Sequence, residues 1–171
     1  MDSVPADRYL PARVKKEAVV KKIIERLQAD LELYFKAARA AHFEATHEQS
    51  KAENKYDTRG LEASYLARGQ SKQAAELEQA LHQFRALTLR DFGPETPVDI
   101  GALVELGVGK EHSWYFIGPR AGGTEVTHAG NEITVITPQS PIGQLLVGRK
   151  QGEKLKLTFG GKGEGKVVSV S

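Results

Sequence analysis

The sequence predicts an α+β chain in which a long antiparallel α-helical coiled-coil hairpin is followed by a small antiparallel sheet domain with one short helix. Three observations predict this. Apolar or small residues recur without a slip in steps of four and three from Val20 through Ile24, Leu27, Leu31, Tyr34, Ala38 and Ala41 to Ala45, which is the seam of a coiled coil. A looser seam resumes from Ala63 to Phe84 after a polar stretch at His47–Ser50, and so short a link folds two helices back on each other. Beyond Gly93-Pro94 the pattern shifts from helical spacing to alternating and short apolar runs. The expected boundaries are 1–92 for the hairpin, with its tip near 45–53, 93–97 for a linker, and 98–171 for the sheet domain.

The elements follow in order. Pro11 suits a first helical position, where its missing N–H has no partner to lose. The first helix is expected to run to about Glu48, with a bulky stem and an alanine-rich distal part that lets helices approach closely. Ser50-Lys51-Ala52-Glu53 matches a capping box, so the second helix starts near Lys51. Gly60 and Gly69 interrupt it, marking either close packing or a bend. Asp91-Phe92-Gly93-Pro94 ends it. Val98–Leu106, His112–Gly118, Ile133–Ile136, Lys154–Phe159 and Gly165–Val170 read as strands, four or five in all. Between them Ser140 to Gly148 reads as a compact helix, with Ser140 as N-cap, Pro141 in the first turn and Gly148 as the stop. Trp114 and Tyr115 are expected in the core. Gly122-Gly123 and Gly160-Gly161 read as turns, with no phosphate-loop context.

Composition bounds the function. The 171 residues hold one ordinary domain or two small ones, and a net charge of +2 gives no case in total for a nucleic-acid binder. Locally, Arg13, Lys15, Lys16, Lys21, Lys22 and Arg26 outnumber Glu17 and Glu25 at the base of the first helix; this is either a solvated face or a contact for an acidic partner. The absence of cysteine excludes a disulfide framework and a Cys-based zinc site. His42 and His47, five apart, do not share a helical face for metal binding. No apolar run suggests a membrane span and the start lacks a signal-peptide pattern, so a cytoplasmic protein without membrane contact is expected. A monomer is expected as well, although an exposed two-helix rod can also self-associate. No spacing suggests a nucleophile–base arrangement.

Taken together, the double helical seam, the Pro-marked linker and Ser140-Pro141-Ile142-Gly143-x-Leu145-Leu146-x-Gly148-x-Lys150-x-Gly152-Glu153 resemble the bacterial Gre family of transcription elongation factors. Tyr115-Phe116-Ile117-Gly118 is similar to the family's preceding strand, and Tyr56-Asp57, Glu62 and Tyr65-Leu66 to its second helix. The resemblance implies an FKBP-like C-terminal domain that docks on the rim of the RNA polymerase secondary channel, with Ser140, Pro141 and Ile142 as the polymerase-binding residues. It implies a coiled coil inserted down that channel, whose tip carboxylates, here Glu48, Glu53 and Asp57, assist the polymerase. Glu48 and Glu53 are the candidate ligands for a magnesium ion shared with the polymerase active site, in two-metal cleavage of a backtracked transcript. The chain itself is then an accessory factor, no enzyme and with no cofactor of its own, and it meets DNA and RNA only indirectly, through the elongation complex.

The family's tip carries an acidic pair three residues apart, just before an Asn. Gapless alignment on Tyr56-Asp57 places Gln49 and Ala52 at those positions, whereas alignment on Glu53-Asn54 restores one acid, places Ser50 at the other and needs a one-residue deletion. Cleavage stimulation and channel occupation without cleavage, by an inhibitor or competitor, therefore both stay open. Glu53 is also the capping-box carboxylate, Asp57 a salt-bridge candidate for Arg59, and Lys51, Lys55 and Arg59 a mixed-charge surface. Two rivals are an FKBP-like prolyl isomerase or chaperone, which needs an aromatic-lined pocket, and a coiled-coil adaptor with no polymerase link.

Overall fold

The computed structural model describes residues 14–46, 59–158 and 163–171. The chain divides into two compact units, one of Ile24–Leu87 and one of Met1–Ile23 with Thr88–Ser171. The long helix α1, Lys16–Thr46, contributes to both, and α2, Arg59–Ala86, to the first.

In the helical unit each helix buries one stripe, at the spacing the sequence set. On α1, Leu27 and Ala41 are buried and Ile24, Leu31, Tyr34 and Ala38 half-buried; on α2, Ala74, Leu81 and Phe84 are buried and Leu77 half-buried, with Ala80 added. The remaining positions among residues 24–44, 68–69 and 71–86 are mainly exposed, as an amphipathic helix requires. Gly69 is exposed, and a Cβ built there meets nothing within 4 Å, so this glycine serves no close approach. α2 ends at Ala86, five residues before the Asp91 that the sequence suggested. The chain leaves the helix there because Phe92 is needed in the core of the sheet unit.

That unit holds the first turns of α1, where Lys16, Val19, Val20 and Ile23 are buried on one face. Lys16 is the buried cation of this face. Its ammonium donates to the Arg90 carbonyl and lies 5.0 Å from the centre of the Phe92 ring, and the Arg90 guanidinium lies 4.7 Å from the same ring. Arg90 also pairs with Asp99 at 3.0 Å. Three residues of the expected basic face at the base of α1 are thus engaged: Lys16 is buried, Lys22 donates to the Thr127 carbonyl at 2.5 Å, and Arg26 pairs with Asp30. Residues 93–97, expected as a linker, lie in this same unit as a turn, with the Thr96 amide on the Gly93 carbonyl at 3.0 Å.

Six strands make one sheet: β1 Leu103–Val108, β2 Glu111–Ile117, β3 Glu125–His128, β4 Asn131–Ile136, β5 Lys154–Leu157 and β6 Gly163–Val170, in the order β3-β4-β2-β1-β6-β5. The expectation of an antiparallel sheet is corrected here, because β2 and β4 pair in parallel, Trp114 beside Ile133 and Ile117 beside Ile136. β3, unforeseen, is the reason. It runs antiparallel on the outer side of β4 and returns through a two-residue turn, so β4 enters the sheet between β3 and β2. That turn, Ala129-Gly130, has positive φ at both positions (51° and 77°), the geometry whose twist suits a tight hairpin.

Alternation sorts the sheet's two faces. Val104, Leu106, Ile117, Ile136, Leu155 and Val167 join Phe92 and Val98 in one core, covered by α3, Pro141–Leu146, through Leu146 with Ile142 and Leu145. Leu103, Phe116, Ile133 and Val135 are fully buried on the opposite face. Trp114 and Tyr115, expected inside, are both half-buried.

Two stability measurements follow. Gly69→Ala raises stability by about 0.5–1 kcal/mol, read from urea denaturation, because alanine fits an open helical site at lower entropic cost. The Lys16 ammonium is held below its ordinary pKa of 10.5, chiefly by desolvation, with nearby Arg90 acting in the same sense and Asp91 and Glu17 opposing. The unfolded chain therefore binds more protons between that lowered value and 10.5, so this group makes stability rise with pH across that window. The rise, followed by urea titration from neutral to alkaline pH, is smaller in Lys16→Met.

Candidate docking edge at the short helix

β2 and β4 end side by side, and the chain leaving β4 turns directly into α3. Ser140 starts that helix from an extended conformation (φ −66°, ψ 154°), its hydroxyl accepting from the Gly143 amide at 3.1 Å and donating to the Thr137 carbonyl at 2.7 Å. Both capacities of the hydroxyl serve the turn. Pro141 follows at the first helical position and is exposed. Gly143 is obligatory: a Cβ there would lie 1.9 Å from the Thr137 carbonyl oxygen. After Leu146 the chain turns at Gly148 (φ 86°), whose amide donates to the Val98 carbonyl at 2.8 Å. Glu153 closes the next turn by accepting the Lys150 amide at 2.7 Å, with Gly152 at φ 87°.

Of the three residues expected to meet a partner, the structure brings Ser140, Pro141 and Ile142 to one edge but presents them differently. Pro141 faces outward, Ser140 is half-buried, and Ile142 packs against the core. Gln144 and Arg149 are exposed on the same helix and the turn after it, and the sequence reading missed them. The helical step of three from Pro141 to Gln144, against Ile142 and Leu145 inward, was the available signal. Their side chains hydrogen-bond the Gln139 and Leu145 carbonyls, at 3.2 and 3.3 Å.

The expected tip carboxylates Glu48, Glu53 and Asp57, with the capping box at Ser50, lie outside the described residues. Among the described residues no group of three His, Cys, Asp or Glu is placed to hold a metal ion, and no helix is long and apolar enough to cross a membrane. A cleft of about 480 Å³ opens at the other ends of β2 and β4, lined by Ser113, Trp114, Tyr115, Glu132 and Thr134 among others. Its lining holds two aromatic residues, fewer than the aromatic-rich pocket an isomerase reading asks for.

Gly143→Ala lowers stability by about 1–3 kcal/mol or more, because a methyl group has to displace backbone at Thr137. Gln144→Ala, on the exposed side of the same helix, changes it by less than about 0.5 kcal/mol. Urea denaturation of the two variants beside the unaltered chain checks both.

No protein-family model matches the chain, and a comparison with curated proteins finds no match. Among solved structures, the chain is similar to the GreA factor homolog 1 (Gfh1) protein of Thermus thermophilus, at 24% identity over 86% of this chain and 94% of that one, with a TM-score of 0.37. It is similar to Gfh1 of Thermus aquaticus at 24% identity over 88% and 94%, with a TM-score of 0.38. Against the prokaryotic transcription elongation factor GreA/GreB from Nitrosomonas europaea the figures are 20% identity, 65% and 92%, and 0.34. These structures are of the kind that residues 140–153 resemble. Superposition at this level carries no functional conclusion, which rests on the chain's own residues.

Proposed function

We propose that the chain is a transcription elongation factor of Gre type that binds RNA polymerase at the secondary channel. The observation that carries this reading is the 140–153 residue pattern, Ser140 to Glu153, in a chain whose other compact unit is built from two long helices. α1 has 31 residues and α2 has 28; at 1.5 Å per residue α1 alone is about 46 Å long. Helices of that length, each burying one narrow stripe, suit an antiparallel coiled-coil finger that enters a channel too narrow for a globule.

In this reading the sheet domain is FKBP-like and docks through Pro141, with Ser140 and Ile142 holding the edge in shape. Glu48, Glu53 and Asp57 are the acids carried at the finger's tip. Glu48 and Glu53 assist in holding a magnesium ion whose other ligands belong to the polymerase, and the polymerase cleaves its own transcript. The factor is a cytoplasmic monomer and an accessory to that reaction. A second reading, occupation of the channel without cleavage, is favoured by the gapless alignment that places Gln49 and Ala52 where the family carries its acidic pair.

A bacterial polymerase stalled in a backtracked complex separates the two. Added protein is expected to bind and to speed 3′ cleavage, and Glu48→Ala with Glu53→Ala reduces that gain by about 10- to 100-fold without loss of binding. Binding with unchanged cleavage and slowed elongation establishes the channel plug instead. Absence of binding overturns both.

A further inference from the structure

Half of one sheet face carries positive charge that a net charge of +2 conceals. Lys154 registers with Lys166, while the neighbouring Leu155 and Val167 enter the core under α3. Lys154, Lys156 and Lys166 therefore share the face opposite α3. Across the sheet on that same face, Lys166 registers with Gly107 and Gly107 with His112, while Glu105 registers with Trp114. The lysines and His112 are exposed or half-exposed, and Trp114, half-buried, stands at the margin beside the fully buried Ile133.

Two acids share the face with the three lysines, and neither forms an ion pair with Lys156 or Lys166. Glu164 pairs with Lys154 at 3.3 Å with both side chains more than 60% exposed, where solvent leaves such a pair little strength. Glu105 is turned into the sheet, accepting from the Ser169 hydroxyl at 3.0 Å and meeting His112 Nδ1 at 2.7 Å. Since a carboxylate only accepts, Nδ1 carries the proton of that bond and the imidazole is fixed in orientation. Among the described residues, Lys156 and Lys166 have no carboxylate within ion-pair distance. Gly107 makes room for the half-buried Val168 side chain between the lysines and the rings: a Cβ there would lie 2.9 Å from Val168 Cγ2.

We propose that this face, from β5 across β6 and β1 to β2, binds single-stranded nucleic acid, with backbone phosphates on Lys154, Lys156 and Lys166 and a base against Trp114. Four neighbouring strands about 4.8 Å apart span about 14 Å, a distance two or three nucleotides cover. Cations along a track with a ring at its inner end are the pairing such strands require: charge for the backbone, and a flat surface for bases irrespective of sequence. A lipid surface is the poorer fit, because none of the large exposed hydrophobics among the described residues lies on these strands. The site is on the face opposite α3, and it involves no polymerase.

The test uses the full chain and a short fluorescein-labelled single-stranded RNA of mixed sequence, followed by anisotropy. The expected dissociation constant is about 10⁻⁴–10⁻⁶ M near physiological salt, and log K falls against log salt with a slope of about −2, for three phosphate contacts. Lys154→Gln with Lys156→Gln and Lys166→Gln weakens binding about tenfold or more and flattens that slope. Trp114→Ala weakens it about tenfold with the slope retained, and Trp114→Phe restores most of the loss. Circular dichroism establishes that each variant is folded, and the lysine variant stands independently of the half-buried Trp114. No binding, binding unchanged in the lysine variant, or association with anionic phospholipid vesicles but not with RNA overturns the proposal.

Discussion

Because β4 pairs in parallel with β2, the two strands finish together, Ile117 beside Ile136, and the Gly118 amide closes that end on the Ile136 carbonyl at 2.8 Å. A parallel pair needs a connection that returns the chain to its starting end. Here β3 supplies it, running back outside β4 before the Ala129-Gly130 turn reverses the chain. The position of the short helix follows from that placement. The exit from β4 delivers Thr137 to the spot where its carbonyl receives Ser140 and excludes any side chain at Gly143, so α3 lies on one face only. The edge strand β5 and its neighbour β6 turn Leu155 and Val167 into that core and their lysines to the other face.

Much of this was legible in the sequence, and the illegible parts have physical causes. The buried stripe of each helix was legible because burial on a helix repeats, and Leu27, Ala41, Ala74 and Leu81 are buried where the repeat requires. The short helix was legible because Ser140, Pro141 and Gly148 are local signals. β3 was not, since a strand of four residues with one buried side chain, Val126, offers almost no alternation, and Ala-Gly is a weak sign for a turn that favours Asn-Gly. Phe92 looked like the edge of a linker because burial by residues distant in sequence leaves no local trace. Lys16 was counted as part of a surface for the same reason.

The candidate edge divides similarly. The pattern from Ser140 to Glu153 marks a place, yet most of its residues have structural duties: a cap, a close approach, buried side chains, two turns with positive φ. Beside these duties Pro141 is exposed, with Gln144 and Arg149 next to it, a smaller surface than the motif suggests. A sequence motif can thus mark one edge of a domain while most of its letters serve the scaffold that presents it. Charge behaves likewise: the base of α1 reads as basic, yet Lys16, Lys22 and Arg26 there are engaged, whereas Lys154, Lys156 and Lys166 come together only through strand register.

The reach of the helical tip into a polymerase is the claim on which the functional account depends, and the chain's lack of cysteine makes it directly measurable. Gln49→Cys gives one thiol to which an iron chelate can be tethered, and hydroxyl radicals then cut whatever lies close by. In complex with bacterial RNA polymerase, the account predicts cuts in the polymerase segments that surround the catalytic magnesium. Cuts confined to the outer surface of the enzyme, with the complex shown to be intact, would contradict it.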